Sequence, residues 1–229
     1  MKIAGIQKLS LLDYPDKTSA TLFTAGCNFR CPFCHNRRLV INPSEAEEIS
    51  EDEILSFLKK RQGLLDGVCI TGGEPLLQHG IEDFIKKVRG LGFEIKLDTN
   101  GYFPDRLAAL LASGMIDFVA MDIKNSLSRY AETAGLPALD TSVIERSIAI
   151  IRESGVPYEF RTTVVRELHT KEDILDIAAL LKGSARYALQ IFKDSGELIK
   201  DGLSAYSEEE MEELADAVRP FFGEVIIKG

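Results

Sequence analysis

Six times along the chain, a short apolar run rich in β-branched residues gives way to a longer amphipathic stretch. The runs predict strands at Ala20–Thr24, Gly67–Thr71, Phe93–Asp98, Phe118–Ile123, Tyr158–Val165 and Tyr187–Phe192. Helices fit between them. The first begins at Ser50, where Glu53 supplies the second half of a Ser-x-x-Glu capping box and Ile54, Leu55 and Leu58 form one face. The others cover Ile81–Arg89, Pro104–Ala112, Ser142–Ser154, Lys171–Leu181 and Ser207–Pro220, with a last strand near Glu224–Lys228. Pro104 suits a first helical turn, where its missing N–H costs nothing.

Parallel strands need crossovers and the crossovers are usually helical, so this alternation predicts an α/β chain with a parallel sheet and outer helices. Six units are too few for a closed eight-stranded barrel. They fit a partial, open TIM-type barrel if the strands line one concave face; an open doubly wound sheet has the same periodicity. With no linker, repeat or low-complexity tract, residues 1–229 read as a single domain.

The polar residues collect where the strands end: Gly26-Cys27, Thr71-Gly72-Gly73-Glu74-Pro75, Asp98-Thr99-Asn100-Gly101, Asp122-Ile123-Lys124, Arg161-Thr162-Thr163 and Gln190-Ile191-Phe192-Lys193. Carboxyl ends of parallel strands face one side, so these segments converge on one pocket.

Three of the four cysteines crowd into Cys27-x-x-x-Cys31-x-x-Cys34, and Cys69 stands alone. Nothing in the sequence reads as a secretory leader or a membrane span, so the chain is expected to be cytoplasmic, where such a cluster is metal-binding or catalytic rather than a disulfide framework. The net charge of −9 opposes a broad nucleic-acid or anionic-membrane surface, and 45% hydrophobic residues allow a substantial core without staples. Three thiolates on one short loop select iron–sulfur clusters, zinc or copper(I). One reading is a structural zinc knuckle with His35 as fourth ligand, although adjacent Cys34 and His35 would close a cramped ring. The other is a [4Fe–4S] cubane with one iron left open, as a catalytic site requires. Cys69, two residues before a strand end, reads as a core thiol rather than a fourth ligand.

The segment Gly26-Cys27-Asn28-Phe29-Arg30-Cys31-Pro32-Phe33-Cys34-His35-Asn36 resembles the signature loop of the radical SAM superfamily, and Gly72-Gly73-Glu74-Pro75 resembles its second motif. Leu11-Leu12-Asp13-Tyr14-Pro15-Asp16-Lys17, Asp98-Thr99-Asn100-Gly101 and Asp122-Ile123-Lys124 narrow the likeness to the activating enzymes of glycyl radical enzymes, in particular those of anaerobic ribonucleoside-triphosphate reductase. The resemblance spans Ser10 to about Phe192.

That resemblance implies a [4Fe–4S] cluster held by Cys27, Cys31 and Cys34, and reductive cleavage of S-adenosylmethionine to methionine and a 5′-deoxyadenosyl radical. The radical would abstract hydrogen from a backbone glycine of a partner, the anaerobic ribonucleotide reductase, with flavodoxin or ferredoxin as electron donor. By the same likeness Phe33, Gly72, Gly73, Glu74, Asp98, Asn100, Asp122, Lys124 and Arg161 line the cofactor site, and Asp98, Thr99 and Asp122 hold a monovalent cation.

Each assignment has a plainer alternative. Phe33 could cap the core, Gly72-Gly73 could serve a tight turn, Asp122 and Lys124 could form an ion pair on one side of a strand, and Arg161 could make a salt bridge. Lys193 stands where relatives carry a cofactor-contacting histidine. Residues 37–68 hold no cysteine, which excludes an inserted second cluster there. Rival functions are radical chemistry on a small molecule, as in 7-carboxy-7-deazaguanine synthases, and a non-catalytic zinc-binding module.

Overall fold

The computed structural model describes every residue except Ser195. Its strands are β1 (Ile3–Ser10), β2 (Ser19–Thr24), β3 (Gly67–Gly72), β4 (Glu94–Thr99), β5 (Phe118–Asp122), β6 (Tyr158–Val164), β7 (Arg186–Ile191) and β8 (Glu224–Lys228). They lie in one sheet in chain order, with β1 antiparallel to β2 and all later neighbours parallel. No pairing among the described residues joins β8 back to β1, so the barrel is open. The six predicted strands are β2 to β7, and the terminal strand extends the parallel array by one. β1 was not expected; it is an edge strand with three exposed residues in a row, so its sequence lacks the apolar signature of the others.

The helices are α1 (Arg37–Ile41), α2 (Glu51–Lys59), α3 (Ile81–Gly90), α4 (Pro104–Ala112), α5 (Tyr130–Ala134), α6 (Ser142–Glu153), α7 (Lys171–Leu180) and α8 (Glu208–Val218). Ser50 Oγ accepts the Glu53 N–H at 3.2 Å and starts α2, whereas full reciprocal capping boxes form at Thr170–Asp173 and Ser207–Glu210. Pro104 occupies the first turn of α4.

The two faces of the sheet differ in chemistry. Ile70, Leu97, Val119, Met121, Phe160 and Leu189 are fully buried in the main apolar core, together with helix residues such as Phe84 and Ile85 of α3. Burying each such side chain contributes about 1.5–3 kcal/mol. The residues that alternate with these on β3 to β7 include Cys69, Lys96, Asp98, Asp122, Glu159, Arg161 and Gln190, which the register sets side by side inside the barrel. Tyr14, Phe118 and Ala120 form a separate small apolar cluster at the amino-terminal ends of the strands.

Candidate active site

The loop after β2 carries the three clustered cysteines to the carboxyl ends of the strands. Cys27, Cys31 and Cys34 line one cavity of about 210 Å³, shared with Phe33, Gly72, Gly73, Asp98, Thr99, Asn100, Asp122 and Lys124. Thr163 of β6 and Gln190 of β7 line it too, so all six strand-end segments meet there, as the sequence predicts. Glu74 and Arg161 do not line this cavity; each stands behind it and holds residues that do.

Backbone contacts fix the cysteine loop. Gly26 N donates to Leu39 O at 2.8 Å, and Arg30 N donates to Ala134 O of α5 at 2.8 Å. The Arg30 guanidinium folds back onto the Cys27 and Phe29 carbonyls at 2.6 and 2.8 Å. The glycine pair completes the fastening: Gly73 N donates to Thr24 O and Glu74 N to Gly26 O, each at 2.8 Å. A Cβ on Gly73 would lie 1.9 Å from Gly26 O, so the close approach of these two turns requires glycine there.

Burial pushes the Cys27 thiol up to about 12 and Cys31 to about 11, and it raises Cys34 as well. Without metal the three thiols are neutral at neutral pH, and metal binding would displace their protons. Phe29 N donates to Cys27 Sγ at 3.3 Å, and Asn100 Nδ2 lies 3.7 Å from the same sulfur while donating to Asn28 Oδ1 at 2.9 Å. Asn28 Nδ2, next to Cys27, is buried without an acceptor in the protein.

Glu74 is completely buried. Its Oε1 accepts Leu76 N at 2.9 Å and the Thr99 hydroxyl at 2.8 Å, and its Oε2 accepts Asn100 N at 2.7 Å. Burial outweighs these hydrogen bonds and raises its carboxyl to about 7.

Asp98, Asp122 and Arg161 join Lys96 in a continuous ion-pair ladder across β4, β5 and β6, which Lys124 extends just past the end of β5. Arg161 donates to Asp98 Oδ2 at 3.0 Å and to Asp122 Oδ1 at 2.8 Å; Lys124 reaches Asp122 Oδ2 at 3.2 Å, and Lys96 pairs with Asp98 Oδ1. Burial would raise Asp122, but Arg161 and Lys124 hold its carboxyl well below the usual carboxylate range. Behind Lys124, the buried His169 places Nε2 2.8 Å from the Lys124 carbonyl. The Phe33 ring is buried, 6.5 Å from the His169 ring, with Lys124 Nζ 5.9 Å from its centroid.

Cys69 is buried inside the barrel, 3.8 Å from Lys96 Nζ, and takes no part in the cavity wall. Lys193 is exposed and likewise absent from the wall. His35, Asn36, Thr71, Thr163 and Gln190, each named in the sequence reading, complete it, with His35 stacked on Phe192 at 5.9 Å; Val40 of α1 also lines it and was not expected. Lys96 was also missed, although its place two residues before Asp98 puts both on one side of β4.

Residues 21–181 match the radical SAM superfamily. The chain belongs to this superfamily. A Methanocaldococcus jannaschii protein provisionally named a glycyl-radical enzyme activating enzyme is 33% identical over 99% of this chain and 95% of its own length. The 7-carboxy-7-deazaguanine synthase of Thermococcus kodakarensis is 26% identical over 72% of this chain and 71% of its own. Streptococcus suis SuiB, solved with precursor peptide SuiA, superposes with a TM-score of 0.71 at 16% identity over 90% of this chain, which shows a shared fold. This chain spans 48% of that one.

Membership in the radical SAM superfamily makes the chain a radical SAM enzyme and brings with it a [4Fe–4S] cluster and S-adenosylmethionine. The cysteine loop suits such a cluster. Its three thiols share one cavity wall, yet among the described residues no three His, Cys, Asp or Glu side chains converge to hold a single ion. Three soft thiolates on one cavity wall suit an iron–sulfur cluster. Asp98, Thr99 and Asp122 do not fit a metal cation: every carboxylate oxygen has a cationic partner, and Thr99 Oγ1 donates to Glu74 and accepts Gly101 N at 3.1 Å. No described helix is long and apolar enough to cross a membrane.

Proposed function

We propose that this chain is a glycyl-radical activating enzyme whose partner is the anaerobic ribonucleoside-triphosphate reductase, and that residues 1–229 act as one cytoplasmic radical SAM domain supplied with electrons by flavodoxin or ferredoxin. The observation that carries the reading is the 33% identity to the M. jannaschii protein over almost the whole of both chains.

When bound, the cluster and S-adenosylmethionine supply the 5′-deoxyadenosyl radical that takes hydrogen from the partner's glycine. Cys27, Cys31 and Cys34 would hold the cluster. Gly72 and Gly73 keep the cavity wall free of side chains, Lys124 presents an ammonium to an anionic group of the cofactor, and Phe33 gives it an apolar neighbour. Glu74 and Arg161 act as positioning residues, since they hold Thr99, Asn100, Asp98 and Asp122 in place. After β7 the chain adds mainly α8 and β8, and Lys200 N donates to the Pro32 carbonyl at 3.0 Å, so the segment beyond β7 is tied down beside the cysteine loop. A partner's glycine loop would then complete the enclosure that excludes water.

A reduced, anaerobic mixture of this protein, S-adenosylmethionine and the full reductase should develop a glycyl radical signal by electron paramagnetic resonance. The kinship with 7-carboxy-7-deazaguanine synthases supports a second reading, radical chemistry on a small molecule. Cofactor cleavage without a protein radical, but with turnover of a small substrate, would replace the first reading by the second.

A further inference from the structure

The charges on the inner face of β4, β5 and β6, continued by Lys124 just past β5, alternate in sign: Lys96, Asp98, Arg161, Asp122, Lys124. Cα pairing of Asp122 with Arg161 brings the guanidinium beside the first carboxylate, and its fork reaches back to the second. Both ends of the fork are used, Nε on Asp122 at 2.8 Å and Nη1 on Asp98 at 3.0 Å. The remaining carboxylate oxygens face Lys96 and Lys124.

We propose that Arg161 is the built-in counter-cation of the Asp98–Asp122 pair, and that this chain takes no monovalent metal ion between them. The ladder already holds three cations against two anions, so a metal ion would add a second surplus positive charge in a largely desolvated place. It would also find no free carboxylate oxygen there. A guanidinium stays charged at any working pH and is tethered to its site, whereas an ion must be captured from solution. The cofactor-side wall of the cavity is therefore complete without sodium or potassium.

The test compares wild type in choline, sodium and potassium chloride at equal ionic strength. Two quantities are read: the thermal midpoint of the metal-free chain, and S-adenosylmethionine affinity of the cluster-loaded protein by calorimetry. The affinity reading rests on superfamily membership; the midpoint needs neither cofactor nor partner, so failure to activate any reductase leaves it readable. We expect one midpoint in all three salts and affinities within about twofold of one another. A midpoint or affinity that rises specifically with potassium or sodium would overturn the proposal. Arg161→Ala opens a gap between two buried carboxylates, and its midpoint should be lower in choline and recover with potassium or guanidinium. A variant as stable as wild type in choline and indifferent to added cations would also count against it. Should the variant fail to fold, the wild-type salt comparison still decides.

Discussion

Glu74 accepts the backbone N–H of Asn100 at 2.7 Å, which fastens the turn after β3 to the end of β4. Because Oε1 takes two further donors, a Gln at this place must aim an amide N–H at a backbone N–H or forgo Leu76 and Thr99. Glu74→Gln should lower stability by about 1–3 kcal/mol, read by urea unfolding. The pH dependence has a definite sign. The folded carboxyl is raised to about 7 from an ordinary value of 4.5, so between these values the folded state binds more protons than the unfolded one. Stability contributed at Glu74 therefore falls as pH rises through that window and is flat above it. The variant should lack that component of the slope.

Gly73→Ala would set a methyl group against the Gly26 carbonyl. We expect several kcal/mol of destabilisation, or failure to bind iron, with the loss seen first in the thermal midpoint of the metal-free chain. Gly90→Ala is the control: it closes α3 with open space around it, and should be neutral or stabilise by about 0.5–1 kcal/mol.

Cys69→Ala should keep its iron and its cofactor cleavage, at a stability cost of about 1 kcal/mol for the lost buried volume. Alanine at Cys27, Cys31 or Cys34 should each abolish both. Iron analysis and the absorbance of the reconstituted cluster check the set, and loss of iron in the Cys69 variant would overturn the three-ligand assignment.

Asp122→Asn removes the anion between Arg161 and Lys124 and should cost about 2–4 kcal/mol, because two partly buried cations then face each other unscreened. S-adenosylmethionine affinity should fall with it. The Asp122 carboxyl is held well below its ordinary value of 3.8, so its stabilisation is present above that value and is lost as pH falls below it. Wild type should accordingly lose stability more steeply than the variant in acid.

The strands, the helices and the converging cysteine and glycine motifs were legible because each rests on local periodicity or on spacing within a few residues. The ion-pair ladder was only half legible. Asp122 ends β5 and Lys124 follows it by two residues, so sequence spacing alone suggests that the two pair. That Arg161 meets both Asp98 and Asp122 depends on the parallel register of β4, β5 and β6, which no local pattern encodes. The role of Glu74 was hidden for the same reason, since two of its three donors, Thr99 and Asn100, lie at the end of the neighbouring strand. α1 and α5 were missed because five residues are too few to show a helical period.

The brace between Arg30 and α5 bears on how the enzyme is made. Arg30 N is held by the Ala134 carbonyl, and a Cβ on Gly135 would strike Arg30 O at 2.2 Å, so the loop takes its form from a segment about a hundred residues later in the chain. During synthesis the cysteines emerge long before their brace does, and contacts of such separation close late. A ribosome-bound chain that stops short of α5 would offer three thiols on an unsupported loop. Cluster delivery is thus expected to follow synthesis through Gly135, making iron acquisition a step of maturation that reports on whether the first half of the barrel has closed around its loop.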